Sequence, residues 1–119
     1  MKYRFFLFLF LFGGYLQGYA DTTIDESSLV EKDGLVYQRG VDVPYTGKVT
    51  DTFVDGQLQL QAYYKDGVRH GSETTWYNNG QIRTKCEYKN GQKNGMWIKF
   101  GRDGGVQLQK LYQDGKRVQ

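Results

Sequence analysis

The chain has 119 residues, with 16 Lys and Arg against 13 Asp and Glu, one His and one Cys. This length accommodates one small domain, and a lone cysteine excludes an intrachain disulfide. Two of the basic residues lie within the first 20 positions, so the remainder has a formal net charge of only +1. Nucleic-acid-binding domains usually carry a pronounced positive charge, and we therefore expect no nucleic-acid partner.

Residues 1–20 have the three parts of a secretory signal peptide. Lys2 and Arg4 form a charged start, and residues 5–12 are an unbroken apolar run. The segment ends in small residues, with Ala20 at the expected cleavage point. The apolar run is shorter than the roughly 20 residues of a membrane-spanning helix. We expect an exported protein, periplasmic or secreted; an uncleaved membrane anchor is the alternative.

Residues 21–33 are polar and acidic with little pattern, so we expect a flexible lead-in. Residues 34–46 are interpreted as a degenerate copy of the repeat that follows. Terminal units of a repeat array are usually atypical because they cover an open edge. Pro44 fits that role, since it has no N–H to donate to a further strand.

Residues 47–118 contain an internal repeat of 24 residues. Such a period indicates stacked copies that together bury surface which one copy alone cannot bury. We predict three copies, residues 47–70, 71–94 and 95–118, within a domain that spans residues 34–119. One tyrosine column and one glycine column carry the repeat outside the turns: Tyr64, Tyr88 and Tyr112, and Gly47, Gly71 and Gly95.

Six Asp-Gly or Asn-Gly pairs mark the turns, at separations that alternate between 11 and 13 residues. These dipeptides supply the positive φ that tight hairpin turns require. The segments between them have the length of ordinary strands and no helical periodicity. The pattern predicts an all-β fold, an antiparallel β-meander of hairpin repeats in one elongated single-layer sheet. The structural turn residues are Gly56, Gly67, Gly80, Gly91, Gly104 and Gly115.

The second strand of each copy alternates between two faces, as a half-buried strand does. In the middle copy, Ile82, Cys86 and Tyr88 share one face, while Arg83 and Glu87 share the other. Since Cys86 falls on the apolar face, we predict a small buried residue there and not a reactive thiol.

The length of the first turn in each copy decides which residues of the first strand face the core. A two-residue loop would place three charged residues, Asp51, Glu73 and Lys99, on the apolar face. A three-residue loop, with Gly as the bulge residue, would instead place Trp76 and Phe100 there. Burying unpaired charge costs far more than burying neutral side chains. We therefore predict the three-residue loop, with Trp76 and Phe100 in the core and Lys99 outward.

The repeat resembles the bacterial variant of the MORN repeat. The resemblance lies in Trp-Tyr-Asn-Asn-Gly-Gln at residues 76–81, Tyr-Lys-Asn-Gly at 88–91 and Gly-Met-Trp at 95–97. It extends over about residues 34–116 and points to exported members of the YwqK-like antitoxin family. It implies an open, elongated β-meander that binds other proteins and, in some members, is linked to membrane surfaces. The third copy departs from the pattern at Gly101, where an aromatic residue is expected.

No residues form a recognisable catalytic, cofactor-binding or metal-binding pattern. His70 is the only histidine, Cys86 has no second cysteine, and the acidic residues are scattered along the chain. General acid–base and metal sites need such groups in clusters. We expect a protein that is not an enzyme and takes no cofactor or metal.

Aromatic residues are the best candidates for a binding surface, because they are favoured as anchors of protein interfaces. The alternative is that the rings only pack on one another, which would leave the amide-rich face as the candidate. The predicted partner-binding face consists of Tyr64, Trp76, Tyr88, Phe100 and Tyr112.

These observations predict an exported, non-catalytic β-repeat scaffold that binds another protein. One alternative is an antitoxin or immunity protein that neutralises a toxin in the periplasm. The other is an envelope structural module that binds glycan or lipid headgroups. The sequence leaves the oligomeric state and the identity of the partner open.

Overall fold

The computed structural model describes residues 22–119. The predicted signal peptide, residues 1–20, lies outside the described residues. The described chain has no α-helix and one short 3₁₀ turn, Glu26–Ser28. Its strands are β1 (Thr23–Asp25), β2 (Leu29–Lys32), β3 (Leu35–Gln38), β4 (Gly47–Thr52), β5 (Leu58–Lys65), β6 (Val68–Arg69), β7 (Gly71–Trp76), β8 (Ile82–Lys89), β9 (Gln92–Lys93), β10 (Gly95–Phe100), β11 (Val106–Gln113) and β12 (Lys116–Arg117).

Ten of these strands form one sheet in the order β1-β4-β5-β7-β8-β10-β11-β12, with β6 beside β5 and β9 beside β8. The pairs β4–β5, β7–β8 and β10–β11 are the antiparallel hairpins of the three copies. Strands β2 and β3 form a separate hairpin. The all-β fold and the hairpin repeat are therefore confirmed.

The two turns of each copy have different geometries. In the first, Phe53 donates its N–H to the Gln57 carbonyl at 2.8 Å, and Gly56 donates to the Phe53 carbonyl at 2.9 Å. Gly56 has φ +89°, so this is a three-residue loop with Gly as the bulge residue, as predicted. In the second turn, Asp66 and Gly67 have φ +49° and +85°. Positive φ at both positions defines a two-residue type I′ loop.

An extra residue in the second strand changes the register of each hairpin. Thr52 pairs with Leu58, but Asp51 pairs with Leu60, so Gln59 has no partner of its own. The same shift recurs in the other two copies, between β7 and β8 and between β10 and β11. A bulge of this kind moves all residues beyond it to the opposite face. The extra residues are Gln59, Arg83 and Gln107.

The bulge overturns the predicted inward-facing set. Glu73 pairs with Cys86, and Lys99 pairs with Thr84 and Leu108, on the face that was expected to be free of charge. Trp76 follows Thr75 directly in β7 and therefore points to the other face. Trp76 and Phe100 are only partly buried. The three-residue loop was predicted correctly. The predicted set of core-facing residues was wrong, because the extra residue of the bulge offsets the extra residue of the loop.

The buried core is small and lies towards the beginning of the sheet. Its apolar members are Tyr45, Val49, Ala62 and Cys86, and Val49 is only 1% exposed. Val49 pairs with Ala62 across the first hairpin. The Tyr45 hydroxyl donates to the Lys48 carbonyl at 2.8 Å, so its polar end is satisfied.

The described part of the predicted flexible lead-in, residues 22–33, instead forms strands β1 and β2 and a 3₁₀ turn. Strand β1 pairs in parallel with β4, with Ile24 opposite Val49, and β2 pairs with β3. Strand β4 would otherwise present an edge of unpaired backbone groups, and β1 satisfies them. The sheet is therefore mixed at this end, where β1 adds a parallel strand to the predicted antiparallel meander.

The degenerate unit, residues 34–46, contacts the type I′ turn at Asp66 and Gly67. Gly67 donates its N–H to the Tyr45 carbonyl at 2.9 Å, as Gly91 does to the Arg69 carbonyl at 2.8 Å. Tyr45 precedes Arg69 by one 24-residue period. The unit therefore contacts the first copy as each copy contacts the next.

Candidate binding surface

Tyrosines and cations alternate along one face of the sheet. Tyr64 pairs with Arg69 across its type I′ turn, and Tyr88 pairs with Lys93 in the same way. The third copy repeats the arrangement. We call this set the cation–aromatic column: Tyr64, Arg69, Tyr88, Lys93, Tyr112 and Arg117, with Trp97 and Lys110 beside it.

Arg69 and Lys93 each reach an aromatic ring of the next copy. The Arg69 guanidinium carbon lies 5.1 Å from the centroid of the Tyr88 ring, and Nη1 donates to the Tyr88 hydroxyl at 3.0 Å. Lys93 Nζ lies 5.1 Å from the Tyr112 centroid and 5.6 Å from that of Trp97. These distances are within the range of cation–π attraction. The cations therefore connect neighbouring copies through their side chains.

Arg69 also forms an ion pair with an acidic side chain on this face. Its Nη1 lies 3.0 Å from Oε2 of Glu73, whose side chain is only 14% exposed. Burial opposes the charged form of Arg69, but hydrogen bonding to Tyr64 and the charge of Glu73 raise its pKa overall. Burial, followed by the Glu73 charge, raises the pKa of Tyr88. Arg69 is therefore charged and Tyr88 neutral at physiological pH.

Cys86 lies beneath this network as a buried residue, as predicted. Its Sγ is 3.9 Å from Oε1 of Glu73. Burial, followed by the Glu73 charge, raises the pKa of the Cys86 thiol to about 11. The thiolate is the reactive form of cysteine, so this thiol is poorly reactive at neutral pH.

The structure divides the predicted partner-binding residues into two groups. Tyr64, Tyr88 and Tyr112 lie together in the cation–aromatic column. Trp76, the last residue of β7, pairs with Ile82, the first residue of β8, at the end of the hairpin that is far from Tyr88. Phe100 occupies the equivalent position in the third copy. The bulges place these two residues away from the tyrosines, so no single aromatic ladder forms.

The cations of the column were not predicted from the sequence. Arg69, Lys93 and Arg117 recur at the same 24-residue period as the glycines and tyrosines. Their common spacing was the available signal, because residues one period apart occupy equivalent places in a stacked array. The nearby His70 has a structural contact: its Nδ1 accepts the Asn90 N–H at 3.3 Å.

Residues 22–119 contain no group of three or more His, Cys, Asp or Glu side chains that could hold a metal ion. Over the same residues, no helix has the length and apolar character needed to cross a bilayer.

Comparison with known proteins identifies one repeat. The family model of the MORN repeat variant matches residues 69–90. This segment includes Arg69 of the column, strands β7 and β8 and the turn between them. No curated protein and no solved structure matches the chain. The remaining copies share the turns, the bulge and the tyrosine of the matched segment. The match and the three equivalent hairpins together support a MORN-repeat protein.

Proposed function

We propose that this protein is an exported, non-catalytic scaffold that binds another protein through the cation–aromatic column. The observation that carries the proposal is the alternation of partly exposed tyrosines with Arg69 and Lys93 on one face. Tyr, Trp and Arg are the residue types that most often dominate the energy of protein interfaces. Contacts between copies also hold these side chains in place, which reduces the entropy cost of binding.

The charge of the column favours a partner with an acidic surface. The one ion pair of residues 22–119 joins Arg69 to Glu73 and leaves Lys93 and Lys110 without an ion-pair partner in that part of the chain. Residues 67–119 as a whole carry ten basic and four acidic side chains. Complementary charge steers association and sets specificity. Nucleic acid is not the proposed partner, because the exported chain is close to neutral.

Site-specific photo-crosslinking tests the binding face. A benzophenone amino acid is placed at Tyr112 of the exported protein, and a matched variant carries it at Leu111. These neighbours in β11 point to opposite faces and are both partly buried. We expect a crosslinked protein from position 112 and much less from 111. Equal yields, or a higher yield from 111, would contradict the proposed face.

The narrower proposal is an immunity or antitoxin role in the periplasm. It is supported by the MORN repeat variant match and by the signal-peptide features of residues 1–20. Intact mass of the exported protein tests the export step, with a mature N-terminus expected at Asp21. The role itself predicts that the crosslinked partner stops growth when it is produced without this protein. A partner with no toxicity would contradict the antitoxin role and leave the scaffold role in place.

A further inference from the structure

A basic cleft lies at the ends of the strands opposite to the cation–aromatic column. It has a volume of about 420 Å³ and spans all three copies. It combines three cations with two aromatic rings and two neutral amides, and no carboxylate lines it. The lining residues are Phe53, Gln59, Tyr77, Asn78, Arg83, Lys99 and Arg102.

The repeat itself brings these side chains together. Phe53 and Tyr77 are one period apart, and so are Asn78 and Arg102. Arg83 is the extra residue of the bulge in β8. Bulges often redirect a side chain towards a functional site. The cleft therefore depends on the same bulge that changes the register of the sheet.

Contacts between copies hold the cations in position. The Tyr77 hydroxyl donates to the Phe100 carbonyl at 2.7 Å. The guanidinium carbons of Arg102 and Arg83 lie 5.1 Å and 6.0 Å from the centroid of the Tyr77 ring. Arg102 Nη2 also donates to Asn78 Oδ1 at 2.6 Å. Both guanidinium groups are thus positioned around one fixed ring.

The positive charge of the cleft is not neutralised within the described chain. Residues 22–119 contain one ion pair, and it involves none of Arg83, Lys99 and Arg102. Like charges that line one cleft repel each other, and a bound anion would relieve that repulsion. We propose that the cleft binds a ligand that carries a phosphate monoester.

A phosphate monoester fits this cleft better than a carboxylate does. It carries a charge of about −1.5 to −2 at pH 7 and three strong acceptor oxygens, whereas a carboxylate carries a single charge. Arginine guanidinium groups match phosphate oxygens in pairs. Phe53, Gln59 and Asn78 remain to contact the organic part of the ligand.

Titration with glucose 6-phosphate tests the proposal, with calorimetry for affinity and backbone amide shifts for location. Glucuronate, which has a similar ring and a single charge, is the charge control. Arg83→Gln and Arg102→Gln remove cations of the cleft, and Lys85→Gln removes an exposed cation from the neighbouring strand position. Melting curves establish that each variant is folded. Lys99→Gln replaces any variant that is not.

We expect glucose 6-phosphate to shift the amides of residues 77–83 and of Arg102. Each cleft substitution should weaken binding about tenfold to a hundredfold, the usual effect of losing one charge-assisted contact. Lys85→Gln should change affinity less than twofold. Equal loss in Lys85→Gln, equal affinity for glucuronate, or no shift in the cleft would overturn the proposal for a soluble ligand.

A second arm distinguishes a lipid source of the same phosphate. Phosphatidylcholine vesicles with and without phosphatidic acid are sedimented with the protein and its variants. Binding that requires phosphatidic acid and is lost in Arg102→Gln would assign the cleft to a lipid headgroup. Absence of binding in both arms would overturn the site. The crosslinking test of the cation–aromatic column is unaffected by either result, because the column lies at the other ends of the strands.

Discussion

Arg69 Nη1 lies 3.0 Å from Oε2 of Glu73, on the face of the sheet that also carries Cys86. This contact explains why the sheet can adopt the register that the charge argument disfavoured. Burial of Glu73 is costly only if its charge is unpaired. Arg69, which compensates the charge of Glu73, lies four positions earlier, across the break between β6 and β7. It belongs to the cation–aromatic column, whose cations were not predicted from the sequence.

Removing that compensation should destabilise the protein. Arg69→Gln leaves the Glu73 carboxylate without its partner and deletes the contact with the Tyr88 hydroxyl. We expect the free energy of unfolding in urea to fall by about 1–3 kcal/mol. Arg117→Gln is the matched control, because Arg117 holds the same place in the third copy but is exposed. It should change stability by less than about 0.5 kcal/mol, and equal losses would contradict the ion-pair argument.

The observed register makes Val49 a core residue. Val49→Ala should lower the free energy of unfolding by about 2 kcal/mol, because it deletes buried methyl groups beside Ala62. Val54→Ala is the control, since Val54 is fully exposed in the first turn. Chemical denaturation of both variants measures the difference. Similar stabilities for the two variants would indicate that the register is wrong.

Cys86 should be almost unreactive in the folded protein. Its thiol pKa of about 11 leaves little thiolate at pH 8, and its side chain is buried. We expect a disulfide reagent to label the native protein at least about tenfold more slowly than the protein in urea. The absorbance of the coloured thiolate that the reagent releases measures both labelling rates. Comparable rates would place Cys86 at an accessible site.

Glu26 should make stability depend on pH. Partial desolvation, followed by the charge of Asp51, raises the pKa of Glu26 above 4.5 in the folded state. The folded state then holds the proton more tightly than the unfolded state, so stability increases as pH falls through the raised value towards 4.5. Glu26→Gln should therefore melt at a higher temperature than the parent protein at pH 7, and the difference should vanish below pH 4.5.

The control for this effect is Glu87→Gln, which neutralises an exposed glutamate on the opposite face. Melting curves from pH 4 to pH 8 for the three proteins separate the two sites. A gain in stability at pH 7 that is as large for Glu87→Gln would attribute the effect to net charge and contradict the local cause.

The sequence was sufficient to predict where the chain turns, but not which residues of each strand face the core. Asp55-Gly56 and Asp66-Gly67 both mark turns, because Asp and Gly tolerate the conformations that turns require. The same dipeptide forms a three-residue loop in the first case and a type I′ loop in the second. Gln59, by contrast, has no feature that marks it as an extra residue, and Arg83 looks like an ordinary exposed cation. A bulge is decided by the backbone of two strands together, so one strand alone does not reveal it.

The same reasoning applies to the N-terminal segment and to the candidate surface. Strand β1 pairs through its backbone, and polar residues such as Thr23 and Asp25 give no hydrophobic signal for that pairing. The tyrosines of the column were predicted because they recur, and the cations recur at the same period. The 24-residue period did not predict the face towards which Trp76 points, because the bulge changes that face.

The parallel strand β1 also distinguishes the two ends of the array. It occupies the outer edge of β4, with Ile24 opposite Val49, and no equivalent strand lies between later copies. A 24-residue copy inserted between Asn94 and Gly95 would meet the same kind of neighbour on each side. A copy inserted before Gly47 would separate β1 from its partner. The array can therefore be lengthened by whole 24-residue copies between existing copies, but not at the end where β1 covers β4.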